Sequence, residues 1–221
     1  MLTDFYHGPL FFIMSDLIRS IEQLKKTNIN GTIKERVRQF ENKRTQSIEE
    51  NFKDLCFCIM TANCSAEKCL EIYETIDDGF LYLSEEELSL KFRELGYRFP
   101  KKRAEYIIEA RNSMDILETL LSSNLEAKLL REQLVRHFRG IGYKEGSHFL
   151  RNIGFKNLAI IDFHVIDLLV KYNLISRPNT LTRNRYMEIE EICEKIAAEL
   201  NLTLAELDFY FLYLEIKKIL R

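Results

Sequence analysis

The chain has 221 residues, 46% of them hydrophobic, which is enough for a sizeable core in one domain or two small ones and excludes a disulfide-stapled miniature scaffold. Eight glycines and three prolines leave little turn-forming material for an architecture of many strands, so helix is the expectation. A formal charge of −2 offers no global argument for nucleic acid, and any such affinity must be local.

The opening "MLTDFYHGPLFFIMSDLIRS" holds an apolar patch but neither the basic leader of a signal peptide nor the length of a membrane span. The better helical pattern starts at Met14, so residues 1–13 read as an N-terminal extension and 14–221 as the folded body. Apolar spacing then predicts helices near 14–27, 32–45, 47–62, 66–76, 84–95, 100–112, 114–122, 124–138, 143–153, 162–173, 183–201 and 203–219, with no convincing strand. Ser84-x-x-Glu87, Ser123-x-x-Glu126 and Thr203-x-x-Glu206 have capping-box form, and Gly96, Gly154 and Pro178 mark stops. The expected architecture is all-α, in two helical lobes.

Cys56, Cys58, Cys64, Cys69 and Cys193 are odd in number and lack the paired spacing of a zinc site or disulfide framework, so they read as small hydrophobes and no metal is assigned to them. Charge is unevenly spread. Residues 67–87 are acidic, whereas 131–156 carries Arg131, Arg136, Arg139, Lys144, Arg151 and Lys156 against only Glu132 and Glu145.

Three of the eight glycines fall in "GIGYKEG", residues 140–146, around Lys144. The preceding "LREQLVRHFR" has helical spacing, which removes the strand that a dinucleotide-binding loop requires. The unit is helix, glycine hairpin, helix. Its glycines permit left-handed backbone and leave amides uncovered at the start of the second helix, where a phosphate can bind without any base being read, and the flanking arginines should add sequence-independent affinity. Lys144 sits at that start, where a positive helix end, partial shielding from water and neighbouring bases should favour the nucleophilic free amine. Eighteen residues further on, Asp162 follows Ala159-Ile160-Ile161 and precedes an apolar helix, the position of an N-cap.

The combination Gly140-Ile141-Gly142-Tyr143-Lys144 with Asp162-Phe163-His164 closely resembles the lysine-bearing branch of the helix-hairpin-helix DNA glycosylases. "FCIMTAN" at 57–63, "LGYRFPKKRAEYIIEAR" at 95–111 and the C-terminal helix look like the short archaeal-type 8-oxoguanine DNA glycosylase/AP lyases. The resemblance covers roughly residues 14–221. It implies a repair enzyme in which Lys144 attacks C1′ of the damaged nucleotide to form a Schiff base, followed by β-elimination, while Asp162 stabilises the cationic sugar and helps deprotonate the lysine.

The same resemblance implies backbone contacts to DNA from Gly140, Gly142, His164 and the amides near Glu145 and Gly146. It puts Asn63 beside the orphaned base and the C-terminal helix, with Phe211, Leu212, Tyr213 and Arg221, at the flipped base. A tryptophan that relatives often carry on this helix is absent, and Leu212 stands in its place. No cofactor and no iron–sulfur cluster are implied, although the hairpin could take an alkali cation. The expected partner is double-stranded DNA bearing 8-oxoguanine or an abasic site, met by a cytoplasmic monomer with no membrane association. Two rivals remain open: the same chemistry on another oxidised base, and a non-catalytic helix-hairpin-helix module that only grips DNA.

Overall fold

The computed structural model describes residues 9–62 and 64–217. Among them are thirteen α-helices, one short 3-10 turn at Lys43–Thr45 and no strand. In chain order the helices are α1 (Pro9–Lys25), α2 (Asn28–Asn42), α3 (Ile48–Thr61), α4 (Ala66–Ile76), α5 (Gly79–Tyr82), α6 (Glu85–Glu94) and α7 (Pro100–Arg111). They continue as α8 (Met114–Ser122), α9 (Ala127–His137), α10 (Tyr143–Asn152), α11 (Phe163–Lys171), α12 (Arg183–Glu199) and α13 (Leu204–Ile216). The backbone of residues 9–13 is helical, so α1 begins five residues before the predicted start at Met14, and the predicted extension overlaps the fold.

The local signals act unevenly. Ser84 and Thr203 close reciprocal capping boxes with Glu87 and Glu206, each serine or threonine oxygen accepting the amide three residues on. The third predicted box does not form. Ser123 ends α8 instead, donating its hydroxyl to Leu120 O at 2.6 Å, and Glu126 opens α9 without a side-chain cap. Gly96 and Gly154 take left-handed φ of 71° and 97° just after α6 and α10, as stops should. Pro178 is not the stop for α11, since Asn173 at φ 55° turns the chain first.

The chain divides into two compact units. Phe40–Phe155 forms one, organised around α3, which packs against α4, α5, α7, α8 and α10. Residues Phe52 and Leu55–Met60 are buried on every side of this helix, which explains why "LCFCIM" is apolar without interruption. The charged pair that precedes the run is also enclosed and fully partnered: Lys53 meets Glu50, Asp77 and Asp78, while Asp54 accepts from Lys43 and Gln46. All five cysteines are free thiols, and all but Cys64 are buried.

The other unit joins residues up to Gln39 with those from Lys156 onward. Here α13 packs on α11 and α12, and α1 on α12. The Tyr186 hydroxyl donates to Ala159 O at 2.7 Å, and Glu190 Oε1 accepts from Ala159 N, which fixes the extended segment leading to Asp162.

Candidate active site

α9 and α10 are joined by a hairpin in which Gly140 adopts φ 88°, a conformation that L side chains resist. A Cβ there would also lie 2.6 Å from Cδ2 of Tyr106. Tyr106 is in turn surrounded by cations, with Lys102 Nζ 5.0 Å and Arg139 Cζ 4.9 Å from its ring centre. Both strain and space therefore require glycine at 140.

Gly142 is the N-cap of α10 and has no side chain to close the helix. Glu145 reaches back instead, accepting the Gly142 amide on Oε2 at 3.2 Å. The following amides, of Lys144 and Glu145, lie in the first turn, where a helix has no internal acceptors to offer, an arrangement chemically suited to an anion. Gly146 corrects the expectation that its amide meets DNA, because that N–H donates to Gly142 O at 2.8 Å and closes the first helical turn. Its lack of a side chain serves packing: a Cβ would stand 3.1 Å from Cγ of Arg131.

Lys144 is 22% exposed at the start of α10, with its ammonium 3.5 Å from Thr61 Oγ1 and 3.9 Å from Glu145 Oε1. Beneath it, burial pushes the Cys58 thiol up to about 12 even though the positive charges of Lys144 and Arg151 oppose the shift. Cys58 is thus a neutral, buried filler of α3. Thr61 carried no role in the sequence reading; its place at the end of "FCIMT" was the signal available.

The basic stretch around the hairpin is thinner than its composition suggests. Arg131 is fully buried, donates to Ser147 Oγ at 2.9 Å and lies 5.4 Å from the Tyr143 ring centre. Arg151 is also buried, held by Asn152 and the face of Phe40. Arg139 is exposed but bridges Glu105 and Glu109 at 2.8 and 2.9 Å. These three arginines, expected to favour phosphate, instead stabilise the scaffold, and Arg136 and Lys144 keep surface near the hairpin. In the 98–103 stretch, Arg103 is likewise buried, whereas Arg98, Lys101 and Lys102 are exposed.

In the other unit Asp162 is the N-cap of α11, its Oδ1 accepting Val165 N–H at 3.0 Å. The carboxylate is only partly buried, and Oδ2 has no bonded partner among the described residues. His164 is half-buried with its ring 3.9 Å from that of Phe163, a side chain 65% exposed.

Phe211 is 2% exposed and belongs to the core of this unit. It lines a cavity of about 10 Å³ with Ile160, Val165, Cys193, Leu207 and Asp208, which has room for about one water and none for a base. Leu212 and Tyr213 are half-buried and have surface to offer. Asn63 and Arg221 lie outside the described residues. No cluster of metal-ligating side chains occurs among the described residues, and no helix there is long and apolar enough to cross a membrane.

A family model described as 8-oxoguanine DNA glycosylase matches residues 33–202. The chain is 49% identical over 209 residues to the 8-oxoguanine DNA glycosylase/AP lyase of Korarchaeum cryptofilum, covering 94% of this chain and 99% of that one. The crystal structure of the Methanocaldococcus jannaschii 8-oxoguanine glycosylase/lyase in complex with 15mer DNA containing 8-oxoguanine superposes with a TM-score of 0.90 at 48% identity, covering 93% of this chain and 99% of that one. The 8-oxoguanine DNA glycosylase of Thermotoga maritima gives 0.87 at 37%, covering 94% and 100%. With the hairpin lysine and the capping aspartate, these likenesses identify the chain as a member of the 8-oxoguanine DNA glycosylase family.

Proposed function

We infer that this protein removes 8-oxoguanine from double-stranded DNA and then cuts the strand as an AP lyase. The observation that carries this reading is Lys144, a partly shielded amine standing on an open, phosphate-binding helix start in a chain of this family. Gly140 and Gly142, with the first-turn amides, hold the DNA backbone, and His164 adds a second contact. The damaged nucleotide leaves the stack, with Leu212, Tyr213 and Arg221 at its base and Asn63 at the orphaned partner.

The lone pair of Lys144 Nζ forms a bond to C1′ as the glycosidic bond breaks, and the base departs with the electron pair of the broken bond and gains a proton. Asp162 has the role of balancing the positive charge growing on the sugar and taking the proton that Nζ must lose. Its helix amide holds Oδ1, which leaves Oδ2 for this work. Sugar-ring opening gives the Schiff base, whose positive nitrogen acidifies C2′–H; loss of that proton expels the 3′ phosphate.

Lysine and aspartate supply every step, so the proposed enzyme needs no cofactor, and it is proposed to act as a cytoplasmic monomer at the chromosome. The carbonyl oxygens of the hairpin are hard donors suited to an alkali cation, which would help to anchor phosphate. No chemical step passes through it.

Borohydride trapping on a duplex carrying one 8-oxoguanine tests the reading. Wild type should give a covalent adduct on the damaged strand, and Lys144→Gln should bind that duplex without forming one. An adduct with Lys144→Gln would reject the assignment of the nucleophile. A folded wild type that binds without trapping would indicate a DNA-gripping module, and trapping only with oxidised pyrimidines would move the substrate.

A further inference from the structure

The end of α3 presents Thr61 to Lys144 across 83 positions of sequence, and the details of that meeting are chemically specific. The Thr61 side chain is 7% exposed, and its hydroxyl proton is already donated to Cys58 O at 2.9 Å. Toward Lys144, 3.5 Å away, the oxygen therefore acts only as an acceptor. An amine that donates one N–H to such an oxygen has its lone pair directed elsewhere.

The helix end that carries Thr61 is held unusually firmly. The Tyr97 hydroxyl donates to Met60 O at 2.6 Å, and Cys69 Sγ donates to the same carbonyl at 3.4 Å. Arg103 donates to Ala62 O at 3.0 Å while its Nε reaches Tyr97. Residues on both sides of Thr61 are thus tied to the entry of α7 and to α4. This anchoring explains a buried arginine that belongs to neither the hydrophobic core nor the exposed basic face.

We propose that Thr61 is a positioning residue for the amine of Lys144: its hydroxyl, with its own proton committed to Cys58 O, accepts one N–H and so orients the lone pair toward the sugar. The proposal rests on Lys144 being the nucleophile. The long separation of 3.5 Å should tighten when DNA is bound and the amine is drawn into line.

The test compares wild type, Thr61→Val, Thr61→Ser, Thr61→Ala and Lys144→Gln in borohydride trapping on a duplex with a preformed abasic site. Dissociation constants for the same duplex and melting temperatures are measured alongside. Thr61→Val and Thr61→Ala should trap about 10²-fold more slowly at saturating protein, the loss expected for a misplaced nucleophile, with duplex affinity unchanged. Thr61→Ser should recover most of the rate.

Serine and alanine differ at this position by one oxygen, so their comparison holds even if valine perturbs the helix end. Equal trapping by the serine and alanine variants, with both melting lower than wild type, would make Thr61 a structural residue and overturn the proposal. Trapping by Lys144→Gln would instead remove the reading beneath it, an outcome visible in a different arm of the same experiment.

Discussion

α10 and α11 both begin where the candidate chemistry is carried, and they begin in opposite ways. Gly142 leaves the start of α10 without a capping side chain, and Glu145 covers only the Gly142 amide. Asp162 closes the start of α11 with its own carboxylate. The first arrangement keeps donors available to an incoming phosphate, while the second uses a donor to hold a charged group still. The same backbone feature, a helix N-terminus, is thus left open in one unit and clamped in the other.

Substitutions at the two starts should separate these uses. The largest effect is expected from Asp162→Asn. Asparagine caps helices as well as aspartate does, so the melting temperature should stay close to wild type while single-turnover excision falls by roughly 10²-fold or more. Asp162→Ala should lose the rate and about 1 kcal/mol of stability as well. If the asparagine variant keeps wild-type activity, the carboxylate is a cap and the contrast between the helices collapses.

Next comes Gly142→Asp, which gives α10 the closed start of α11. Gly142 has φ −97° and ψ −172°, an extended conformation open to any residue, and its Cβ would meet only the flexible end of Glu145 at 3.0 Å. Stability should hold or rise by a few tenths of a kcal/mol. Duplex affinity should fall about tenfold, or about 1.4 kcal/mol, because the new carboxylate takes the amides and repels phosphate. Undiminished affinity in a direct binding titration would show that DNA does not use this helix end.

A third substitution, read in stability and not in chemistry, tests the hairpin that sets up the open start. Gly140→Ala should cost about 1–2 kcal/mol from the left-handed backbone, plus the collision with Tyr106. Adding Tyr106→Ala should relieve the collision alone, so a double-mutant cycle on urea midpoints should leave the backbone share unrecovered. Full recovery in the double variant would mean that space and not φ selects glycine here.

The contrast between the helices is largely readable in the sequence, because it depends on residues within a few positions of one another. Gly140 and Gly142 mark the hairpin and the start of the helix that follows it, and an aspartate between an extended apolar triplet and an amphipathic helix is a favoured N-cap, as Asp162 is here. The boxes at Ser84 and Thr203 formed for the same short-range reason. Ser123 failed because α9 starts only at Ala127 with Glu126 as its N-cap, so Glu126 is not three residues into a helix that Ser123 could cap, and the serine hydroxyl closes the end of α8 instead. Resemblance to a family supplied the chemistry of Lys144 and Asp162, which no local pattern alone could specify.

Charge was misread for a physical reason. A composition count treats every arginine as surface, yet Arg131 and Arg151 are buried and Arg139 is committed to two glutamates. Arginine can be enclosed when its planar donors find acceptors and aromatic faces, and only packing decides whether they do. The amide of Gly146 was similarly taken by its own helix.

The sequence by itself determined the helices, the hairpin and the two helix starts, since these follow from backbone sterics and hydrogen bonds between near neighbours. Tertiary structure alone decided which charges remain available and brought Thr61 up to Lys144. A contact across 83 residues depends on how α3 and α10 pack, and no local rule contains that information.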